Sequence, residues 1–433
     1  MPEYRKKRVN RFKPAPRRKK KPIEAVEEDI KMSPTEKRGK KTEKPPKEEN
    51  NEIPLRVVNG KKLERRRKTK IFVSAAAIIA LILTVIHIIL PVGITENLEN
   101  LVSLIGNGSY PINLESSDTL NTVSRGMYYY VLTDTRLNAF TNGGKEIYSH
   151  SHGFESPVLK TSATRAMVFD QGGNEAYIYN LKEQKQSLKT DAEIINAAIS
   201  DSGVYAVITR SESYASVVTV YSKGGKKIYT WYSSSDTVNN VVIAPNGKKI
   251  AITAFNAANG KFNSKICILN FNSANPINTV NIEGGPIITL ESYHRAGFIA
   301  ATENKLYFTD WAGKNSSEYK NDYTLSCLRP GAGGTVAVFN RESDRADNRI
   351  VLFGTKGQQK KEFEFKGTVS DIAVSGGHIY CISDTEVFLY GSDGKLLRKA
   401  ECGFGGVNIA PLGRTQAAVI TDNRIDKIQL EQK

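Results

Sequence analysis

The chain is poor in the residues that usually carry chemistry. Its 433 residues include four cysteines, two tryptophans and five histidines. No C-x-x-C pair occurs, which excludes a zinc ribbon or a thioredoxin-like redox site. No Gly-Lys is followed by Ser or Thr, so there is no P-loop, and no G-x-S-x-G offers a nucleophile elbow. "GAGGTV" and "GFGGVN" each hold two glycines of a dinucleotide fingerprint and lack the third. The sequence implies no cofactor, no metal and no catalytic residue.

Long apolar runs are scarce as well, with one exception. "IFVSAAAIIALILTVIHIIL", Ile71 to Leu90, contains no Asp, Glu, Lys or Arg and is followed by Pro91. As a helix rising about 1.5 Å per residue it matches the roughly 30 Å hydrocarbon core, which predicts one transmembrane helix over 71–91. A cleavable signal peptide would have a shorter apolar core and no seventy-residue leader. The one ionisable group in the span, His87, falls in its last turn and is expected at the interface as a neutral imidazole.

Basic charge is nearly absent as an excess outside the N-terminal segment. Residues 1–70 carry 26 Lys and Arg against 11 Asp and Glu, which leaves 35 against 34 for all the others. That segment is rich in Lys, Arg, Glu and Pro and has no sustained apolar period, so it reads as a disordered tail. Lys61, Lys62, Arg65, Arg66, Arg67, Lys68 and Lys70 crowd one side of the apolar run, while "PVGITENLENLVSLIGNGSY" on the other side has no Lys or Arg. The positive-inside rule places the tail in the cytoplasm and the residues after 91 outside, as a single-pass protein of the cell membrane. Those seven side chains are candidate contacts for anionic lipid headgroups, each contributing on the order of 1 kcal/mol. "RRKKK" could also meet nucleic acid or an acidic partner, but interleaved Glu and the lack of aromatic platforms make nucleic acid the weaker reading. Small residues in "SAAAIIA" would allow close approach of two spans and hence a homodimer.

The remainder is repetitive. "ISDSGVYAVIT" (Ile199 to Thr209) returns as "IAPNGKKIAIT" (Ile243 to Thr253), with looser copies beginning at Leu328, Ala373 and Ile409. Each reads as a strand, a tight turn and a second strand. A second signature follows in "FTNGGKEIY", "YSKGGKKIY", "FGTKGQQKK" and "YGSDGKLLR", where an aromatic residue precedes Gly144, Gly225, Gly357 or Gly394 by four positions. It reads as a third strand, a loop whose Gly takes positive φ, and a fourth strand. "WAGKN" at Trp311 lacks the aromatic residue, having Thr309 in its place, and "YNLKEQKQS" at Tyr179 lacks the Gly. Four strands at this spacing predict an all-β propeller of about eight blades over 110–433, with seven possible. First strands are expected near Leu120, Val158, Ile194, Val241, Ile287, Leu325, Ile372 and Val407. "YPINL" (Tyr110 to Leu114) is expected to complete the last blade, whose own segment stops after three strands, and so to close the ring.

The "IAPNGKKIAIT" unit resembles the repeats of TolB-type and WD-like bacterial propellers. The whole layout resembles an uncharacterised Gram-positive family with a basic tail, one span and an external propeller. The Gly-His and Trp-Asp dipeptides of true WD repeats are missing. The resemblance implies no catalytic residues.

Smaller features leave alternatives open. Cys267, Cys327, Cys381 and Cys402 lie outside the membrane on this reading, where disulfides form; buried free thiols are the expectation, with Cys381 and Cys402 as the pair to compare. His150 and His152 alternate near a blade junction, and without a third ligand they fall short of a metal site. "ENLENLVSLI" puts Leu98, Leu101, Val102 and Ile105 on one helical face in the segment 92–109, read as a stalk rather than a helix lying on the outer leaflet or pairing with a second copy. Two functions compete. One is a non-catalytic membrane-anchored scaffold or sensor that binds a protein partner at the cell envelope. The other is a quinoprotein-like or hydrolytic enzyme with a site in the central channel, which Trp231 and Trp311, at unlike blade positions, support poorly.

Overall fold

The computed structural model describes the backbone of residues 60–89, 94–115, 118–258, 261–283, 285–293, 296–331, 334–403 and 405–432. Within the two helices, side chains are described at 68–82, 84, 85 and from 96 onward. The expectations for the tail before residue 60, and for the side chains of Lys61, Lys62, Arg65, Arg66, Arg67 and His87, lie outside the described residues. The chain divides into two compact units, 1–68 and 69–433.

Helix α1 runs Gly60–Ile89 and α2 runs Ile94–Ser103. Among the described residues no helix is long and apolar enough to cross a membrane.

Eight antiparallel sheets follow, one per blade. The first strands are Thr119–Ser124, Pro157–Thr161, Ile194–Ile199, Thr237–Ile243, Thr289–Tyr293, Thr324–Gly331, Asp371–Ser375 and Asn408–Pro411. Six of the eight contain the residue the repeats point to; Ile287 and Val407 fall just before theirs. First strands of neighbouring blades meet around most of the ring, blade 8 meets blade 1 there too, and the second strand of blade 1 meets the first strand of blade 2. Blade number is thus eight.

Position within the blade explains strand composition. Second strands such as Tyr128–Thr133, "YYYVLT", are covered by a neighbouring blade on each face and are buried throughout. The fourth strand Leu396–Glu401, "LLRKAE", at the outer rim, alternates between half-buried and exposed. The core lies between blades: Phe308 of blade 5 packs 4.9 Å from Phe353 of blade 6, ring to ring.

Closure follows the expected route. Ile112–Asn113 pairs antiparallel with Arg424–Gln429, Ile112 opposite Ile425, and supplies the outer strand of blade 8. The chain then turns at buried Leu430 and adds Glu431–Gln432 to the rim of blade 7 against Arg398 and Lys399, a fifth strand with no sequence signature.

Antiparallel order fixes two faces. Turns joining first to second and third to fourth strands lie on one face, here the entry face because α2 meets the ring there. Turns joining second to third strands, and the links between blades, lie on the far face.

Candidate interaction faces

The segment 92–109 holds a helix that packs against the ring. Arg165, in the first turn of blade 2, pairs with Glu96 of α2 at 2.6 Å, and both side chains are largely buried. Burial lowers the Arg165 pKa, and the Glu96 carboxylate opposes that shift. Buried Asn100 accepts a hydrogen bond from the Leu181 amide through Oδ1 at 3.2 Å. Lys182 and Lys185 approach Glu99 at 3.7 and 3.9 Å. Lys145 Nζ donates to the carbonyl of Ile105 at 2.5 Å.

α2 therefore turns its polar side to the protein. Leu98, Leu101, Val102 and Ile105 face away and are 53 to 67% exposed. This inverts the usual arrangement, in which the apolar stripe of a helix meets the core.

The docking turn is the one that lacks the repeated Gly. In "YNLKEQKQS", Asn180 is fully buried, and its Oδ1 accepts from the amides of Lys182 and Glu183 at 2.8 Å each, a side-chain substitute for the glycine turn. The departure from the repeat marks the attachment point of α2.

The regular glycines have a second role besides positive φ. A Cβ on Gly357 of blade 6 would clash with Cβ and Cγ of Phe308 of blade 5, at the base of its ring. One on Gly144 of blade 1 would come within 2.9 Å of the ring of Tyr110, in the closing segment of blade 8. These turns are seats for the preceding blade.

Charge is segregated between the faces. Entry-face turns carry Arg125, Lys248 and Arg414 between first and second strands and Lys145, Lys226, Lys314, Lys356 and Lys395 between third and fourth, against Asp201, Glu183 and Asp393. Far-face turns carry Asp134, Glu303, Glu342, Asp384 and Asp422, and the links between blades carry Glu155, Asp191, Glu193, Glu283 and Asp322. Arg210 is the one cation among the described far-face turns and links, and it pairs with Glu193 at 2.7 Å.

Two shallow cavities open on the far face. One, of about 450 Å³, is lined by Glu303, Thr324, Ser326, Asn340, Glu342 and Arg345 among others. Beside it, the Tyr323 hydroxyl donates to Asp347 at 3.0 Å, and the guanidinium of Arg349 lies 4.4 Å from the Tyr323 ring centre. Asp347 also pairs with Lys366 at 2.5 Å and Arg341 at 2.9 Å. The hydrogen bond from Lys366 holds the Asp347 carboxyl below the usual carboxylate range. The arrangement offers a stiff polar surface.

The remaining candidate residues are dispersed. His150 packs beside the adjoining Tyr148 and Tyr179 rings at 4.9 and 5.5 Å, while His152 is buried and bonded through Nε2 to the Thr133 carbonyl and through Nδ1 to the Phe154 amide. Among the described residues no three His, Cys, Asp or Glu gather as a metal site. All four cysteines are free. Cys381 packs at the blade 6–7 seam and Cys402 at the blade 7–8 seam, on opposite faces of one sheet, so this pair is not joined. Burial pushes the Cys327 thiol up to about 11, so it is held as an unreactive thiol. Lys68 and Lys70 are exposed on α1.

In the first strands Asp371, 3% exposed, accepts from the Ile409 amide at 3.2 Å and pairs with Arg329 at 3.0 Å, tying blades 6, 7 and 8 across the channel wall.

Solved propellers share this architecture at low identity. The C-terminal WD40 domain of Sif2 matches with 12% identity and TM-score 0.53, over 75% of this chain and all of that one. The Dos1 propeller matches with 12% identity and TM-score 0.51, over 76% of this chain and 97% of that one. BamB from Moraxella catarrhalis covers 75% of this chain and all of its own at 14% identity and TM-score 0.46. These likenesses bear on the fold alone. No curated protein sequence matches the chain. Residues 109–430, the whole ring from before its closing segment to Leu430, match a family of unknown function, DUF5711, and the chain belongs to that family.

Proposed function

We propose that the chain is a membrane-anchored extracytoplasmic propeller that acts as a non-catalytic scaffold or sensor, binding a protein partner through its acidic far face. The segregation of charge carries this reading. Carboxylates of the turns and links, which outnumber the Arg341 and Arg345 guanidinium groups that also line the shallow cavities, attract a basic surface from a distance and steer its approach.

Anchoring is supported by α1. Ile71, Phe72 and Val73 are all exposed, at 59, 75 and 60%. Successive helical residues sit about 100° apart, so the exposed apolar surface runs round the whole circumference, as lipid contact requires. Lys68 and Lys70 precede that surface and fit the cytoplasmic side.

The test places a photo-crosslinking residue at Ser343 on the far face or at Gly224 on the entry face of the full chain in cells. Capture of one external protein from position 343, weakened by added salt and lost in Glu342→Lys, supports the reading. Capture of nothing, together with a changed metabolite on removing residues 110–433, would instead favour an enzyme.

A further inference from the structure

We infer that the entry face is a membrane-docking surface: the apolar side of α2 is embedded at the bilayer interface and the surrounding lysines lie on anionic headgroups. The inference rests on the anchored reading above and adds an orientation to it.

Three observations converge. First, α2 and the turn after it present Leu98, Leu101, Val102 and Ile105 to solvent at more than half exposure while the polar side of the helix is consumed by Arg165, Leu181 and the lysines of blades 1 and 2. A docked helix with the apolar side outward has its natural medium in the lipid interface, where such helices sink their apolar side to the depth of the acyl boundary. Met127, 58% exposed in the first turn of blade 1, lies on the same face.

Second, the occupant is within reach. The apolar run of the sequence ends at Leu90 and α2 begins at Ile94. Four extended residues span at most about 14 Å, so α2 stays close to the end of that run. If α1 crosses a bilayer, α2 is held against the same leaflet.

Third, the charge has the matching sign. Lys223, Lys226, Lys248, Lys314, Lys356 and Arg414 are exposed on the entry face. Spread over the turns of several blades, they suit a planar anionic surface better than a single small ligand. Each cation near such a surface adds attraction that decays within a Debye length of about 8 Å. The far face, with its carboxylates, then points away from the lipid.

The full chain with Trp231→Phe and Trp311→Phe, reconstituted in vesicles of phosphatidylcholine and phosphatidylglycerol, allows a single indole to report depth. With Leu101→Trp, emission shifts to the blue and brominated acyl chains quench it severalfold; Ile79→Trp serves as the span reporter. Quenching falls when phosphatidylglycerol is omitted or when Lys223→Glu and Lys226→Glu are combined. If Ile79→Trp is quenched and Leu101→Trp emits as in water, the span stands and the docking surface is refuted. If Leu101→Trp is blue-shifted without lipid quenching, a second copy covers α2 and the inference is equally refuted. If neither is quenched, the anchored reading fails and takes this one with it.

Discussion

At the scale of single residues, the turn glycines separate two causes of strain. Gly357 has φ of 78° and a neighbouring side chain where its Cβ would go, whereas Gly172, in a turn of blade 2, has φ of 90° and open space. Replacement by Ala at 172 carries only the conformational term, about 1 kcal/mol, while Gly357→Ala adds overpacking for about 3 kcal/mol in all. Denaturant unfolding of both variants checks this; equal losses would contradict a seating role for Gly357. A second residue sets a pH dependence. Burial depresses the His152 pKa, and the hydrogen bond to the Thr133 carbonyl opposes that shift. A depressed folded value means that stability is fully present above the unfolded pKa of about 6.5 and is lost as pH falls through the folded value. The unfolding midpoint of the parent chain should drop between pH 7.5 and 5.5, and His152→Gln should flatten that slope; an unchanged slope refutes the assignment.

At the scale of elements, the closing strand and α2 are the joints. Ile112 packs into the blade 8–1 core while pairing with Ile425. Ile112→Asp should raise hydrogen exchange in 424–429 while leaving blade 4 protected; unaltered exchange at 424–429 would show that the segment does not close the ring. Glu96→Ala leaves Arg165, 5% exposed, without its countercharge, a loss of about 3 kcal/mol for a buried pair broken on one side. Exchange in 94–103 should rise in that variant, and full retention of protection would mean that Asn100 and Lys145 hold α2 unaided.

The blades were legible because hairpin turns and the aromatic-to-Gly spacing are local signals repeated in register. The closing strand was legible because three strands at one end lacked a fourth and a lone strand stood at the other. The docking of α2 was hidden, since its apolar stripe is the part of the pattern that normally marks the buried side; only the missing Gly in "YNLKEQKQS" hinted at a special turn. Glu431–Gln432 left no mark, being two residues long and held by pairing alone.

At the scale of the whole molecule, near-neutral charge after residue 70 concealed a polarised ring. Net charge sums over both faces, and the sorting emerges only when the strand order assigns alternate turns to opposite sides. Lysines following the turn glycines and carboxylates in the intervening links then fall apart into two surfaces. A basic face meeting the membrane and an acidic face meeting a partner both depend on which side of the membrane the ring occupies. The most direct measurement is labelling of Ser343→Cys, in the full chain, by a membrane-impermeant maleimide applied to intact cells. Labelling is expected without lysis, and more weakly at Gly224→Cys on the entry face; labelling of both positions only after lysis would overturn the external placement of the ring.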